Sequence, residues 1–323
     1  MPSKKNNKKN NKVLPFVSIC TPTFNRRPFF PYIIKCFENQ TYPKDRMEWI
    51  IIDDGTDKIE DIITSHNVSQ IKYFRYENKM TLGKKRNLCH EKCSGDIIVY
   101  MDDDDYYPPE RVSHAVETLQ KNPKALCAGS SEMLLYFKHI QKMYKFGPYG
   151  PNHATAATFA FKKELLLQTS FDNMASVAEE KKFLKGYTIP FVQLDSKKSI
   201  LVFSHIHNSY DKKTMLDNMN NYIHETDIKV EDIVKEQDMR IFFIEDIDKI
   251  LSLYSPGKLE NKQDVIEHID KLKREREALI KKNIEDMEKV EAYKKIIMNS
   301  KLPKDNNLPK DNNLPNDNNL PKR

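Results

Sequence analysis

The chain has 323 residues, a net charge of +6 and 39% hydrophobic residues, a composition typical of a soluble protein. Its longest apolar runs, such as residues 97–101, are far shorter than the roughly 20 residues that a membrane-spanning helix needs, so no transmembrane segment is predicted. No apolar segment follows the N-terminal lysines, which argues against a secretory signal, and we therefore expect a cytoplasmic protein.

The positive charge is concentrated at the two ends of the chain. Five lysines lie within residues 1–12, and residues 301–323 contain five basic against three acidic residues. Because the region between them is close to neutral, the charge does not predict a specific nucleic-acid-binding surface there. Residues 1–12 are predicted to be a disordered basic arm, and contact of this arm with RNA, a membrane surface or an acidic partner is the alternative.

Residues 301–323 repeat the hexapeptide Leu-Pro-Lys-Asp-Asn-Asn. A proline in each copy and one apolar residue in six disfavour both a helix and a packed core, so a disordered tail is predicted. The five cysteines are an odd number without a predicted signal peptide, which favours reduced thiols over a disulfide framework.

Segments of strand and helix character alternate along the first 210 residues. Strands are predicted at residues 17–20, 49–52, 71–76 and 97–101, and helices at 32–39, 84–92 and 109–121. Such alternation predicts an α/β fold with a mostly parallel, Rossmann-like sheet flanked by helices, in which ligands bind at the carboxyl ends of the strands. Amphipathic patterns at 212–254 and 258–300 predict a helical C-terminal extension over residues 211–300.

Four consecutive aspartates, Asp102 to Asp105, follow the predicted strand at 97–101. Their carboxylates repel one another, and hard oxygen ligands of this kind favour Mg²⁺ or Mn²⁺, so a metal site is predicted. The alternative is an exposed acidic loop before the helix that starts near Pro109, because aspartates near a helix N-terminus are favourable.

The segments 17–26, 50–56, 82–87 and 98–105 occur in an order and at a spacing that resemble the nucleotide-binding half of family 2 glycosyltransferases, which have the GT-A fold. The resemblance implies a GT-A domain over residues 13–210 and a nucleotide-sugar donor, with a UDP-sugar expected. It also implies that the donor contacts the residues matching the family's motifs: Pro22, Thr23, Arg26, Asp54, Gly83, Arg86, Asp102 and Asp103. In the Asp-x-Asp motif one carboxylate meets the ribose and the other the metal, which implies Asp102 and Asp104.

Several of these residues also have simpler interpretations. Asp54 precedes Gly55, and an Asp-Gly pair favours a turn fixed by the aspartate side chain. Arg86 can bind phosphate through two hydrogen bonds or lie on a helix surface, and Arg26 can be ordinary loop charge.

In the second half, residues 178–184 resemble the family's paired-acid motif at the start of a short helix. This implies Glu180 as the general base for the acceptor hydroxyl, with Glu179 adjacent, whereas a solvated helix face is the alternative. Residues 205–209 resemble an element that adds an imidazole to the metal, which implies His205, with His207 as the alternative. The turn-rich segment 147–155 is where the family meets its acceptor.

The sequence therefore predicts a metal-dependent glycosyltransferase, with inversion implied by the family, that uses Mn²⁺ or Mg²⁺ and acts on a hydroxyl of a glycan, protein or lipid. A nucleotidyltransferase is one alternative, although residues 21–26 lack the glycines of a phosphate loop. A catalytically inactive nucleotide-binding or scaffold protein of the same fold is the other. The C-terminal helices are a candidate homodimer contact.

Overall fold

The computed structural model describes residues 14–217 and 219–299. The predicted basic arm (1–12) and repeat tail (301–323) lie outside the described residues. The chain divides into two compact units, one up to Asp270 and one from Lys271. The predicted domain boundaries at residues 13, 210 and 300 stay predictions.

Strands occur throughout the first unit. In chain order the described residues form β1 Val17–Thr23, β2 Met47–Asp53, β3 Ile71–Arg75, β4 Ile97–Tyr100, β5 Cys127–Gly129, β6 Met133–Phe137, β7 Lys142–Phe146, β8 Ala160–Lys162, β9 Phe191–Gln193, β10 Leu201–Phe203 and β11 Ile223–Thr226. Seven of them make one sheet in the order β3-β2-β1-β4-β8-β5-β9. Only β8 runs antiparallel to its neighbours in this sheet. The other four form a smaller sheet in the order β10-β6-β7-β11.

The helices connect and cover these strands. In chain order the described α-helices are α1 Phe30–Glu38, α2 Glu60–His66, α3 Leu82–Lys92, α4 Arg111–Lys121, α5 Glu180–Phe183, α6 Thr214–Asp217, α7 Val230–Ile233, α8 Gln237–Ile241, α9 Ile247–Ser252 and α10 Gln263–Asn299. A π-helical turn, Phe242–Asp246, joins α8 to α9. None of the described helices is both long and apolar enough to cross a membrane.

The central strands are buried on both faces, as expected for a parallel sheet covered by helices. All seven residues of β2 are buried. Trp49 and Ile51 face one apolar cluster, where the Trp49 ring lies 5.0 Å from that of Phe37 on α1, whereas Ile50 and Ile52 face a second cluster. The buried polar side chains of these strands are hydrogen-bonded, as Ser18 is to Glu48 at 2.5 Å, and the acidic residues that follow β2 and β4 lie at the edge of the sheet.

The predicted α/β fold, with a mostly parallel sheet flanked by helices and a C-terminal helix, is confirmed. All five cysteines are free and buried, in agreement with the predicted reduced thiols. Within 212–254, where amphipathic helix was predicted, the structure has several short helices and also one strand, β11. The apolar residues Phe242, Phe243 and Ile247 of this segment share a core cluster with the central strands.

Candidate active site

The acidic run lies where β4 ends beside β1. The Met101 N–H donates to the Cys20 carbonyl oxygen at 3.1 Å and the Asp102 N–H donates to the Tyr107 hydroxyl at 2.6 Å, so the turn is fixed at the sheet edge. Asp103 and Asp105 are buried, at 9% and 6% exposure. The aspartates therefore lie at the edge of the sheet, as predicted, because β4 ends there beside β1.

Arg26, which follows β1, supplies positive charge to the acidic run. Its guanidinium is buried and donates through Nη2 to Asp104 at 3.0 Å, and its Nε lies 3.5 Å from an Asp103 oxygen. The same Nη2 also donates to the carbonyl oxygen of His207 at 3.1 Å. The repulsion that we assigned to a metal ion is therefore already reduced by a protein cation.

Arg86, on α3, joins the acidic run to the paired acids. Its two terminal nitrogens each donate to Asp102 at 3.2 Å, and its Nε donates to Glu179 at 2.8 Å. The guanidinium also lies 4.4 Å from the centre of the Tyr100 ring. Although burial opposes it, Asp102 and Glu179 hold the pKa of Arg86 well above its usual value, so this side chain stays charged. The interpretation of Arg86 as a surface residue is wrong, because it is only 2% exposed.

Neighbouring aspartates of the run differ in protonation. Burial raises the pKa of Asp103 to about 6, with Arg26 opposing the shift. Burial would also raise the pKa of Asp104, but Arg26 and His205 hold it well below its usual range. Burial and the charge of Asp104 raise the pKa of Asp105 well above its usual value. Asp104, beside Arg26 and His205, therefore stays ionised.

Of the predicted metal ligands, Asp104 and His205 lie close together, whereas Asp102 is paired with Arg86. Asp104 Oδ2 lies 3.4 Å from His205 Nε2, and burial lowers the pKa of His205 to about 3, which keeps the imidazole neutral. No group of three or more His, Cys, Asp or Glu side chains in the described part of the chain is arranged to hold a metal. Asp104 and His205 nevertheless fit a cation that takes its other ligands from phosphate oxygens and water.

Glu180 begins helix α5, next to the buried Glu179. Burial and the charge of Glu179 raise the pKa of Glu180 to about 7. Its Oε1 accepts from the Ala156 N–H at 3.2 Å, which places it beside the turn-rich segment 147–155. Within that segment the His153 ring lies 5.1 Å from Tyr149 and 5.2 Å from Tyr187, so aromatic rings group on this side of the molecule. A carboxyl group with a pKa near neutrality can take a proton at physiological pH.

An open cleft extends from the acidic run along the end of β1. It is lined by Pro22, Phe24, Arg26, Lys79, Met80, Leu82, Lys85, Asp102, Asp103, Asp104, Ser176, Ser209, Lys262, Asp264 and Val265. Sequence reasoning missed its lysines: Lys85 lies inside a recognised motif, whereas nothing in the local sequence distinguishes Lys79 or Lys262.

Asp54 and Thr23, also predicted to contact the donor, do not line this cleft but bind Lys85, which does. Asp54 is fully buried, accepts from Lys85 at 2.9 Å and from the Met80 N–H at 2.5 Å, and so fixes the start of the loop before α3. The turn at Gly55 is held by Asp53, not Asp54, through a 2.8 Å hydrogen bond. The Thr23 carbonyl accepts from Lys85 at 3.1 Å.

Gly83 permits close packing at the start of α3. A Cβ atom there would lie 1.9 Å from the carbonyl oxygen of Asp172, and the Gly83 N–H donates to Ala175 at 2.8 Å. The donor contacts of Gly83, Asp54 and Thr23 stay predictions.

Comparison with known proteins shows what the first part of the chain is similar to. Residues 18–157 match the sequence profile of glycosyl transferase family 2. A GalNAc(5)-diNAcBac-PP-undecaprenol β-1,3-glucosyltransferase of Campylobacter jejuni is 32% identical over 112 residues, which are 33% of this chain and 34% of that one. The poly(ribitol-phosphate) β-N-acetylglucosaminyltransferase TarS of Staphylococcus aureus is 26% identical over 108 residues, 32% of this chain and 19% of its own.

A similar solved structure is the mannosyltransferase PcManGT of Pyrobaculum calidifontis in complex with GDP-Man and Mn²⁺, with a TM-score of 0.47 and 15% identity. The match covers 59% of this chain and 57% of that one. The two curated relatives are matched over about a third of their length or less.

Proposed function

We propose that the protein transfers a sugar from a nucleotide-activated donor to a hydroxyl acceptor on a glycan, protein or lipid, in keeping with the match of residues 18–157 to the profile of glycosyl transferase family 2. The observation that carries this proposal is the continuous link from Asp102 through Arg86 to Glu179, beside Glu180. One buried guanidinium thus joins the acidic cleft to the candidate base.

The donor occupies the cleft at the acidic run, with its diphosphate near Arg26. A guanidinium and the cleft lysines attract phosphate, and Asp102 can accept from a ribose hydroxyl through its exposed edge. We expect a UDP-sugar, in keeping with the resemblance. Asp104 and His205 would hold Mn²⁺ or Mg²⁺, which when bound neutralises charge on the departing nucleotide.

Glu180 is the general base in this proposal. Its carboxylate takes the proton of the acceptor hydroxyl as the oxygen attacks the anomeric carbon. The acceptor lies toward the segment 147–155, since Ala156 at its end holds Glu180. A single displacement from the face opposite the nucleotide inverts the anomeric centre. Glu179 keeps Arg86 in place and does not contact the acceptor.

Nucleotide-sugar binding is tested by thermal shift with a panel of UDP- and GDP-sugars, each with Mn²⁺ and with EDTA. A donor at 100 times its Kd stabilises the folded state by about 2.7 kcal/mol. We expect one donor to raise the Tm in Mn²⁺, and nucleotide release to follow in a hydrolysis assay. If none shifts the Tm under either condition, the glycosyltransferase proposal fails.

The second unit supports a proposed homodimer contact. Within α10, the large apolar residues exposed from position 279 onward are Leu279, Ile280, Ile284, Met287, Val290, Tyr293 and Ile296. Such a surface is typical of helices that pack against a partner. Light scattering after size-exclusion chromatography tests this: Ile284→Glu with Met287→Glu is expected to convert a dimer to a monomer, whereas a monomeric wild type contradicts it.

A further inference from the structure

Lys262 is a buried lysine on the segment that leads into α10. It is 5% exposed and lines the same cleft as Arg26 and the aspartates 102–104. Its Nζ donates to Ser209 Oγ at 3.3 Å. In the described part of the chain no carboxylate oxygen lies within 4.0 Å of this ammonium group, the limit for an ion pair. A desolvated ammonium group without an anionic partner is unfavourable, so it favours an anionic ligand.

The lysine is held in the cleft by the segment 254–268, here called the C-terminal strap. The strap is fixed at one end because the Asn25 side chain donates to the Pro256 carbonyl at 2.9 Å. Beyond Lys262, Asp264 pairs with Lys79 and accepts from Ser176 Oγ at 2.7 Å. Anchors on both sides therefore fix the backbone that carries Lys262.

The surroundings of Lys262 distinguish a phosphate from a neutral sugar as its ligand. Burial lowers the pKa of Lys262 to about 7; the neighbouring Arg26 adds to the effect, and the charges of Asp104 and Asp103 oppose it. Arg26 is paired with Asp103 and Asp104, whereas Lys262 has no carboxylate at ion-pair distance among the described residues, so the missing anion has to come from a ligand. A lysine ammonium is a compact point charge, which suits a phosphate oxygen, whereas a neutral hexose offers no compensating charge to Lys262.

We propose that Lys262 is a donor-binding residue, which together with Arg26 contacts the diphosphate of the nucleotide. This inference rests on the proposed function. It assigns to the strap, outside the region that matches the family profile, a direct part in recognising the donor. It also implies that the first unit contains the complete phosphate site, because the strap ends before Asp270.

The test measures the affinity of the full-length chain for UDP, GDP, uridine and guanosine by isothermal titration calorimetry in Mn²⁺. Lys262→Met is expected to weaken the better diphosphate by about 10- to 100-fold, the range for losing one charge-assisted hydrogen bond. Binding of the matching nucleoside should change by less than about threefold, since Lys262 does not touch it. Lys262→Arg should recover most of the diphosphate affinity.

Lys258→Met is the matched control, because Lys258 lies four residues earlier on the strap and is exposed. It removes the same charge and is expected to leave both affinities unchanged. Ser209→Ala removes the hydroxyl to which Lys262 donates and tests a structural role. The Tm of unliganded Lys262→Met should equal or exceed that of wild type, because a desolvated charge is lost.

The outcomes distinguish failure of the Lys262 assignment from failure of the proposed function. If wild type binds UDP or GDP and Lys262→Met binds it equally well, only the assignment of Lys262 fails. It also fails if Lys262→Met weakens nucleoside and diphosphate to the same extent, or if Ser209→Ala reproduces the loss. If wild type binds neither diphosphate, the proposed function and this inference fail together.

Discussion

Arg86 links two chemical roles through one buried side chain. Its terminal nitrogens bind Asp102 in the donor cleft, and its Nε binds Glu179, the neighbour of the candidate base. A buried cation with one buried and one partly exposed anionic partner is costly to disturb, because removing a partner leaves uncompensated charge. Glu179 therefore has a positioning role, and Glu180, which lacks an ion pair in the described chain, is the carboxyl group available to react.

Glu180→Gln is the variant that tests the base directly. The amide keeps the size of the side chain but cannot accept a proton, so kcat should fall by about 100-fold or more while donor affinity stays nearly constant. Steady-state kinetics with a verified donor and acceptor, and calorimetry with the donor alone, measure the two effects.

Glu179→Gln is the control for this experiment. It weakens the 2.8 Å contact with Arg86, so its main expected effect is a lower Tm. If instead it abolishes transfer at an unchanged Tm while Glu180→Gln remains active, the register of the paired acids is wrong by one residue. If neither variant slows transfer, the base lies elsewhere.

The pKa of Glu180 also predicts how the rate depends on pH. Burial and Glu179 raise this pKa to about 7, and a base must be ionised to act, so kcat/KM should rise up to pH 7 and level off above it. The sign for stability is opposite: the protonated group stabilises the fold at low pH, and this contribution is lost as the pH rises through about 7.

Tm and kcat/KM of wild type and Glu180→Gln, measured from pH 5 to 9, test both signs. Relative to the variant, the wild type should lose Tm as the pH rises. A rate profile that stays flat between pH 5 and 8 would contradict the assignment of Glu180.

At the scale of elements, α3 positions Arg86 because its first turn packs unusually close to another backbone. The carbonyl oxygen of Asp172 occupies the space where a Cβ of residue 83 would lie. The Thr81 hydroxyl accepts from the Lys84 N–H at 3.4 Å and caps the helix. Arg86 then follows at the start of the second turn, where it donates to Asp102 and Glu179.

Gly83→Ala should therefore separate α3 from the segment at Asp172. We expect a loss of about 1–3 kcal/mol of stability, the usual range for overpacking, together with weaker donor binding because Arg86 shifts. Thermal unfolding and calorimetry measure the two effects. Gly150→Ala is the matched control, since the nearest atom to its added Cβ is 3.9 Å away and no change is expected. Equal Tm values for both variants would contradict this account of Gly83.

The sequence predicted those elements whose pattern is local and strong. The apolar runs of β1, β2 and β4 predicted the parallel sheet, and the aspartates at the ends of the β2 and β4 runs predicted its acidic edge. The three-residue strands β5, β8 and β9 have too few residues to show an alternating pattern. In β11 one residue is buried, two are exposed and one is half-buried, so it shows no alternation either. Their pairing depends on distant partners, which local pattern does not contain.

At the scale of the whole molecule, the site likewise combines residues predicted from local motifs with a residue that only long-range packing brings in. Asp102, Asp103, Asp104, Arg26 and Pro22 were predicted from motifs, and all of them line the cleft. Lys262 joins them through a contact with Ser209, 53 positions away in sequence. No spacing rule connects these positions, because the strap reaches the cleft only through tertiary packing.

Two truncated chains test whether the strap completes the cleft. A chain that ends at Asp270 keeps Lys262, Asp264 and Val265, so we expect nucleoside-diphosphate affinity close to that of the full chain. A chain that ends at Gly257 loses all three and leaves Lys79 without Asp264, so its affinity should fall at least as far as that of Lys262→Met, by about tenfold or more. Calorimetry with UDP and GDP in Mn²⁺ measures both, and circular dichroism verifies that each chain is folded. Full affinity in the chain ending at Gly257 would show that the strap is dispensable for the donor. A loss in the folded chain ending at Asp270 would show that residues beyond 270 also contribute, and that the first unit does not contain the complete site.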